Sequence, residues 1–210
     1  MNHQPIELSH VQNHADPFMI FIEVIDECDL ACPTCIAASM PGSGNARSCT
    51  DLVSRVSRFA ERNGPIKLLM ITGGEPALHP DIITILTDLS RHASMLMLIT
   101  NGVRIANDPS FAASLATIGP NFQVYLQFDS LRPESLVALR GRDFSDVRAR
   151  AVAHLHSHNV PTTLICVVKR GVNDVDASDV VRFACGFDNI RGVTFQPIRA
   201  SGRHADFDYL

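Results

Sequence analysis

Along the chain, short apolar runs alternate with longer stretches whose apolar residues recur at three- and four-residue intervals. The runs at 19–25, 66–71, 95–100, 122–128, 161–168 and 190–195 are bounded by turn residues and read as six β-strands. Their apolarity is continuous rather than alternating, which predicts strands buried on both faces, as in a parallel sheet covered by helices. The stretches at 51–62, 81–91, 109–118, 145–158 and 177–185 carry the helical period and read as five helices. Asp51, Asp81 and Ser145 stand near predicted helix starts, where their oxygens can cap free N–H groups, and Gly64 and Gly119 follow predicted helix ends.

Repeated strand and helix units give an α/β fold, either an open doubly wound sheet or a closed or partly closed barrel. In both, loops at the carboxyl ends of the strands form one ligand-binding face. Here those ends read EVIDECDLACPTC, TGGEP, TNG, QFDS, KRGVND and QPIRASGR, whereas the opposite ends are plain turns. Polar and glycine-rich chemistry on one face only favours an enzyme-like site over a scaffold.

Composition narrows the picture. With 210 residues, 46% of them hydrophobic, the chain can bury one core, so a single domain over 19–203 is expected, with an N-terminal extension (1–18) and a C-terminal tail (204–210). A net charge of -4 with scattered Lys and Arg offers no basic face, so nucleic acid is not the expected partner. The apolar run from Phe18 to Ile25 is too short for a membrane span, and MNHQPIELSH lacks the zones of a signal peptide, which predicts a cytoplasmic protein. Thiols stay reduced there, so clustered cysteines point to metal binding or catalysis rather than disulfides.

Three of six cysteines, Cys28, Cys32 and Cys35, fall in CDLACPTC. Pro33 removes a backbone donor and pushes Cys32 toward extended geometry, so the sulfurs come from a wrapping loop and not from a helix face. Structural zinc wants four closed ligands, and Cys49 or His79 would have to supply the fourth. An iron–sulfur cluster held by three cysteines instead keeps one iron open to an outside ligand. In TGGEP, Gly73 and Gly74 let a ligand approach the backbone, and Glu75 can accept from an ammonium group; a tight turn with a solvated Glu is the competing reading.

Thr100 and Asn101 lie at the third strand tip. Gln127 and Asp129 share one face of the fourth strand, where a ligand ribose, a substrate polar group or a structural network would satisfy them. Lys169, Asn173, Gln196 and Arg203 occupy the last two tips. Gln196 is the better placed for ligand contact, while Lys169 and Arg203 attract an anion or are merely solvated. Cys166 and Cys185 read as buried core thiols, and Cys49 as the one further cysteine able to reach the site, so no auxiliary cluster is expected in this chain.

CxxxCxxC after a first strand and GGEP after a second resemble the radical S-adenosylmethionine (radical SAM) superfamily. That resemblance implies a partial (βα)6 TIM-like barrel with parallel strands. It implies a [4Fe-4S] cluster on Cys28, Cys32 and Cys35, with SAM chelating the open iron and the GGEP segment holding its amino end. Reductive cleavage would then give a 5′-deoxyadenosyl radical, with the electron drawn from a donor such as flavodoxin or ferredoxin. GGEPALHPD, LITNGVRIA, YLQFDS, LRGRD, VVKRGVND and GVTFQPIRASGR, in this order, are similar to the subgroup of archaeal tetraether lipid synthase and the methanopterin-ring methylases. The subgroup implies C–C bond formation or methylation on a lipid or pterin-like small molecule; peptide modification or cofactor maturation is the alternative. Two departures stand out. Thr34 replaces the aromatic residue often found before the third cysteine, and the chain is shorter than the subgroup's usual members. A noncatalytic zinc or iron–sulfur binding module is the reading of another class.

Overall fold

The computed structural model describes residues 18–204, so the expected extension and tail lie almost wholly outside the described residues. Six strands form: β1 (Met19–Ile25), β2 (Ile66–Gly73), β3 (Ala93–Thr100), β4 (Phe122–Gln127), β5 (Thr162–Val168) and β6 (Ile190–Pro197). Each pairs in parallel with its sequence neighbour, giving the order β1-β2-β3-β4-β5-β6 with β1 and β6 as edges. The strand order never reverses, as a doubly wound sheet requires. The sheet is therefore the unclosed, parallel arrangement of a partial barrel.

The helices are α1 (Cys49–Asn63), α2 (Ile82–Ser90), α3 (Val103–Asn107), α4 (Pro109–Leu115), α5 (Pro133–Arg140), α6 (Ser145–Ser157) and α7 (Ala177–Ala184), with a 3-10 turn at Pro76–Leu78. Two of these lie outside the predicted stretches: α3 has only five residues, and α5 buries polar Ser135 and Arg140 beside Leu136 and Leu139, which hides its apolar period. The caps also differ from expectation. Ser48 Oγ accepts from Asp51 N at the start of α1, Asp143 Oδ1 accepts from Ser145 N beside α6, and Asp81 makes no side-chain cap bond.

One sheet face carries the core. Leu69, Ile71, Leu96, Leu98, Val124, Leu126 and Leu164 pack against Leu52, Ile85, Leu86, Phe111, Val152 and Leu155 of the helices. Burying a side chain of this kind contributes about 1.5–3 kcal/mol. On the other face Met70, Tyr125 and Ile165 are buried beside half-buried Leu68, Met97 and Ile99, while Met19 and Phe21 of edge strand β1 are exposed. Continuous apolarity thus reflects two unequal faces: helices cover one, and the other is an apolar surface open at the β1 edge. Cys166 is fully buried as expected, but Cys185 is exposed, because it caps the end of α7 instead of joining its core stripe.

Candidate active site

Residues 26–48, between β1 and α1, contain neither helix nor strand and carry the three close cysteines. Cys28 and Cys32 are buried and Cys35 is half-buried, all as free thiols in a small apolar cluster with Leu30, Leu136 and Phe144. Leu30 N donates to Cys28 Sγ at 3.4 Å, and Cys35 N to Cys32 O at 3.2 Å. Burial pushes the Cys28 thiol up to about 12 and raises that of Cys32, against the pull of the Arg140 guanidinium beside it. No three of the described His, Cys, Asp and Glu side chains are gathered closely enough to hold one metal ion. The two residues weighed as a fourth zinc ligand are placed elsewhere. His79 is committed at both ring nitrogens, to Arg47 O at 2.8 Å and Asp81 N at 3.0 Å. Cys49 opens α1 and packs against the main core.

The β2 tip is laid against the β1 tip, with Gly74 N donating to Ile25 O and Glu75 N to Glu27 O, both at 2.8 Å. A Cβ on Gly73 would strike Ile25 O, and one on Gly74 would strike the Glu27 and Asp26 carbonyls, so both glycines are required by this approach. Beside them lies a cavity of about 310 Å³ lined by Glu23, Asp26, Ala38, Ser39, Gly73 and Gly74. Glu75 itself is buried. Its Oε1 accepts from Thr100 Oγ1 at 2.6 Å and Ala77 N at 3.0 Å, and its Oε2 from Asn101 N at 2.7 Å. Burial raises its pKa to about 7 even though those bonds favour the carboxylate. Glu75 therefore ties the β2 tip to the β3 tip. Asn101 carries the tie onward, donating to Asp29 Oδ1 at 2.7 Å beside Cys28.

Gln127 and Asp129 are also brought together, around a partner that sequence reasoning passed over. Arg140, the last residue of α5, donates to both oxygens of buried Asp129 at 2.7 Å, and Arg148 of α6 adds a contact at 3.0 Å. The Gln127 amide accepts from Arg140 Nη1 at 2.8 Å, and Val167 N donates to Asp129 Oδ1 at 3.1 Å. Burial opposes ionisation of Asp129, yet Arg140 and then Arg148 outweigh it and hold the carboxyl below its ordinary value. One carboxylate thus faces two buried guanidiniums, and Arg148 Nη1 is buried with no partner. A signal for Arg148 existed: with Val152 and Leu155 it falls on the core-facing stripe of α6, where a charge demands a buried counter-charge.

At the last two tips, Lys169 is half-buried and its N–H donates to Asn173 Oδ1 at 2.9 Å. Asn173 donates onward to Asp129 O and Val167 O, bracing that loop. Gln196 is exposed on the apolar, helix-free sheet face, in register with Val167. Arg203 neither faces an anion nor is merely solvated. It donates to the Cys32, Ala38 and Ser39 carbonyls of the cysteine loop. Thr34, at the position of the expected aromatic, is buried and donates to Leu139 O at 2.8 Å.

Comparison with known proteins bears on this geometry. Residues 22–184 match the family model described as Radical SAM superfamily. The chain is 26% identical over 205 residues to 7,8-dihydro-6-hydroxymethylpterin dimethyltransferase of Methanocaldococcus jannaschii, covering 95% of this chain and 40% of that protein. It is 28% identical over 193 residues to mycofactocin maturase MftC of Mycobacterium ulcerans, covering 90% of this chain and 50% of the other. The chain thus spans half or less of the length of these relatives. In fold it is similar to Streptococcus suis SuiB bound to S-adenosylmethionine, with a TM-score of 0.76 and 20% identity over 90% of this chain and 42% of that one.

Proposed function

The chain belongs to the radical SAM superfamily, and from that premise we propose that it forms a C–C bond or transfers a methyl group at an unactivated carbon of a pterin-like or lipid substrate. The family uses a [4Fe-4S] cluster and SAM, and the residues present fit them. Three free thiols share one loop, a cavity opens beside Gly73 and Gly74, and Arg148 Nη1 is buried without a hydrogen-bond partner where two guanidiniums face one carboxylate. An anionic, thiolate-bound cluster would supply the counter-charge that this pair of guanidiniums is short of.

When bound, these cofactors supply one-electron cleavage of SAM and hydrogen abstraction by the 5′-deoxyadenosyl radical released. Cys28, Cys32 and Cys35 would hold the cluster as thiolates, and loading it would have to displace the protons that burial favours on Cys28 and Cys32. Backbone groups of Gly73 and Gly74, which line the cavity, would hold SAM, with Glu75 keeping Thr100 and Asn101 in register beside them. Arg140 and Arg148 balance charge, with Gln127 and Asp129 fixing them. Lys169 and Gln196 are the tip residues left for substrate or SAM. The apolar face of Leu68, Met70, Met97, Ile99, Tyr125 and Ile165 excludes water and suits an apolar substrate portion. The electron comes from an outside donor such as flavodoxin or ferredoxin.

The observation that carries the substrate reading is the 26% identity with the pterin dimethyltransferase over 95% of the chain. Anaerobic reconstitution, followed by assay of 5′-deoxyadenosine with pterin and lipid candidates, tests it; no cluster and no SAM cleavage would sink it. The match to a mycofactocin maturase over 90% of the chain favours a second reading, maturation of a peptide or cofactor. Comparing metabolites, lipids and peptides in a deletion strain separates the two.

A further inference from the structure

The loop that carries the cysteines is gripped from the far end of the chain. Beyond β6, Arg203 sends Nε to Cys32 O at 2.9 Å, Nη1 to Ala38 O at 2.9 Å and Nη2 to Ser39 O at 2.6 Å, while its own N–H donates to Cys35 O at 3.0 Å. A planar guanidinium holds its donors in one rigid fork. Three carbonyls on one fork therefore fix how far Cys32 stands from Ala38 and Ser39, with Cys35 between them. Ala38 sits at φ 53, a backbone state that an alanine adopts only when its surroundings enforce it.

A second, independent feature lies one residue earlier. Gly202 has φ 60, and a Cβ there would run into the carbonyls of Cys35 and Ile36. Only glycine lets the strand-six extension approach the loop this closely. The Ser201–His204 bridge folds the segment back on itself at this point.

We propose that Arg203 is a positioning residue that sets the spacing of the cluster cysteines, and that Ser201–His204 is a strap fastening the loop to the end of the barrel. This rests on the reading of the loop as the cluster site. Arg203 acts through the loop: its bonds are to the carbonyls of Cys32, Cys35, Ala38 and Ser39.

The test uses the full chain as Arg203→Ala, Arg203→Lys and Gly202→Ala, with exposed Arg182→Ala as control. Amide hydrogen exchange in the cluster-free protein is the first readout, and resistance of the reconstituted cluster to an iron chelator is the second. Arg203→Ala is expected to speed exchange across 28–43 at least tenfold while β3 and β4 keep wild-type protection, and to shorten cluster lifetime under chelation at least tenfold. Arg203→Lys, which replaces the fork with a single ammonium group, should fall between. Gly202→Ala should loosen the same amides with Arg203 intact, which covers the case in which Arg203→Ala does not fold. Unchanged loop exchange in the folded variants, or a uniform rise across the whole sheet, would overturn the proposal. Wild-type protein that takes up no cluster would fail the cluster reading instead, and the exchange measurement would still decide the strap.

Discussion

Asp129→Asn changes the charge at the centre of the barrel mouth with almost no change in volume. In the native chain its two oxygens accept from Arg140 Nε and Nη2, Arg148 Nη2 and Val167 N, in a site where Asp129 is 1% exposed. An asparagine would turn an NH2 group toward donors and leave two guanidiniums buried without a carboxylate. Breaking a buried ion pair by removing one partner costs about 3–5 kcal/mol. At about 2–4 °C per kcal/mol for a chain of this size, the melting temperature of the cluster-free protein should drop by about 6–20 °C. Urea unfolding with linear extrapolation gives the same quantity independently. The pH dependence follows from the depressed carboxyl pKa. The stabilisation is present above the ordinary carboxylate pKa and is lost as pH falls through the lowered folded value. Adding Arg148→Met to Asp129→Asn should cost less than the sum of the two single changes, because it removes one of the unpaired charges. A loss below about 1 kcal/mol for Asp129→Asn would refute this account and return Asp129 to the role of a free ligand contact.

Further outcomes are expected elsewhere. The Glu75 pKa is raised by burial to about 7 from 4.5, so its neutral form is the one favoured on folding. Its contribution should decline by about 3 kcal/mol as pH rises from about 4.5 to about 7, and Glu75→Gln should flatten that part of the stability curve; parallel curves for the two proteins would contradict it. Under native conditions iodoacetamide should label Cys185 and spare Cys166, which peptide mass mapping of the folded protein will show. Leu98→Ala, at a fully buried position in β3, should cost about 2–5 kcal/mol in urea unfolding. Cys32→Ala should abolish the brown absorbance of the reconstituted protein and SAM cleavage together; retained cleavage would exclude it as a ligand.

The strands were legible because their signal is local. Apolar runs between turn residues place β1 at Met19–Ile25 and miss the ends of the others by no more than a few residues. Helix α3 was not legible because five residues are too brief for a stripe, and α5 because its buried positions are Ser135, Leu136, Leu139 and Arg140, half of them polar. In the site, chemistry that depends on residue spacing could be read, while chemistry that depends on contacts between distant segments could not. CxxxCxxC and GGE announce themselves within a few positions. By contrast, Arg140 serves Asp129 across a turn, and Arg203 serves carbonyls more than 160 residues away. An arginine in a loop reads as solvated until the fold shows which carbonyls lack a donor.

The same contacts explain how a long irregular segment can present a cofactor site at all. Residues 26–48 have no regular ladder to satisfy their backbone, yet buried polar groups there must be paired. The chain answers from several directions. Arg47 N donates to Val24 O, Gly42 N to Glu27 Oε1, Cys28 N to Met40 O and Thr34 Oγ1 to Leu139 O, and Arg203 takes three carbonyls more. Ordering each backbone residue costs about 1–2 kcal/mol, so a loop left loose would charge that entropy against cluster binding. Here protein hydrogen bonds supply part of that order, and Arg140 and Arg148 share the single carboxylate of Asp129. Weakening the clamp should therefore reduce cluster retention before it reduces the stability of the sheet, since β2, β3 and β4 rest on a core to which the loop contributes little.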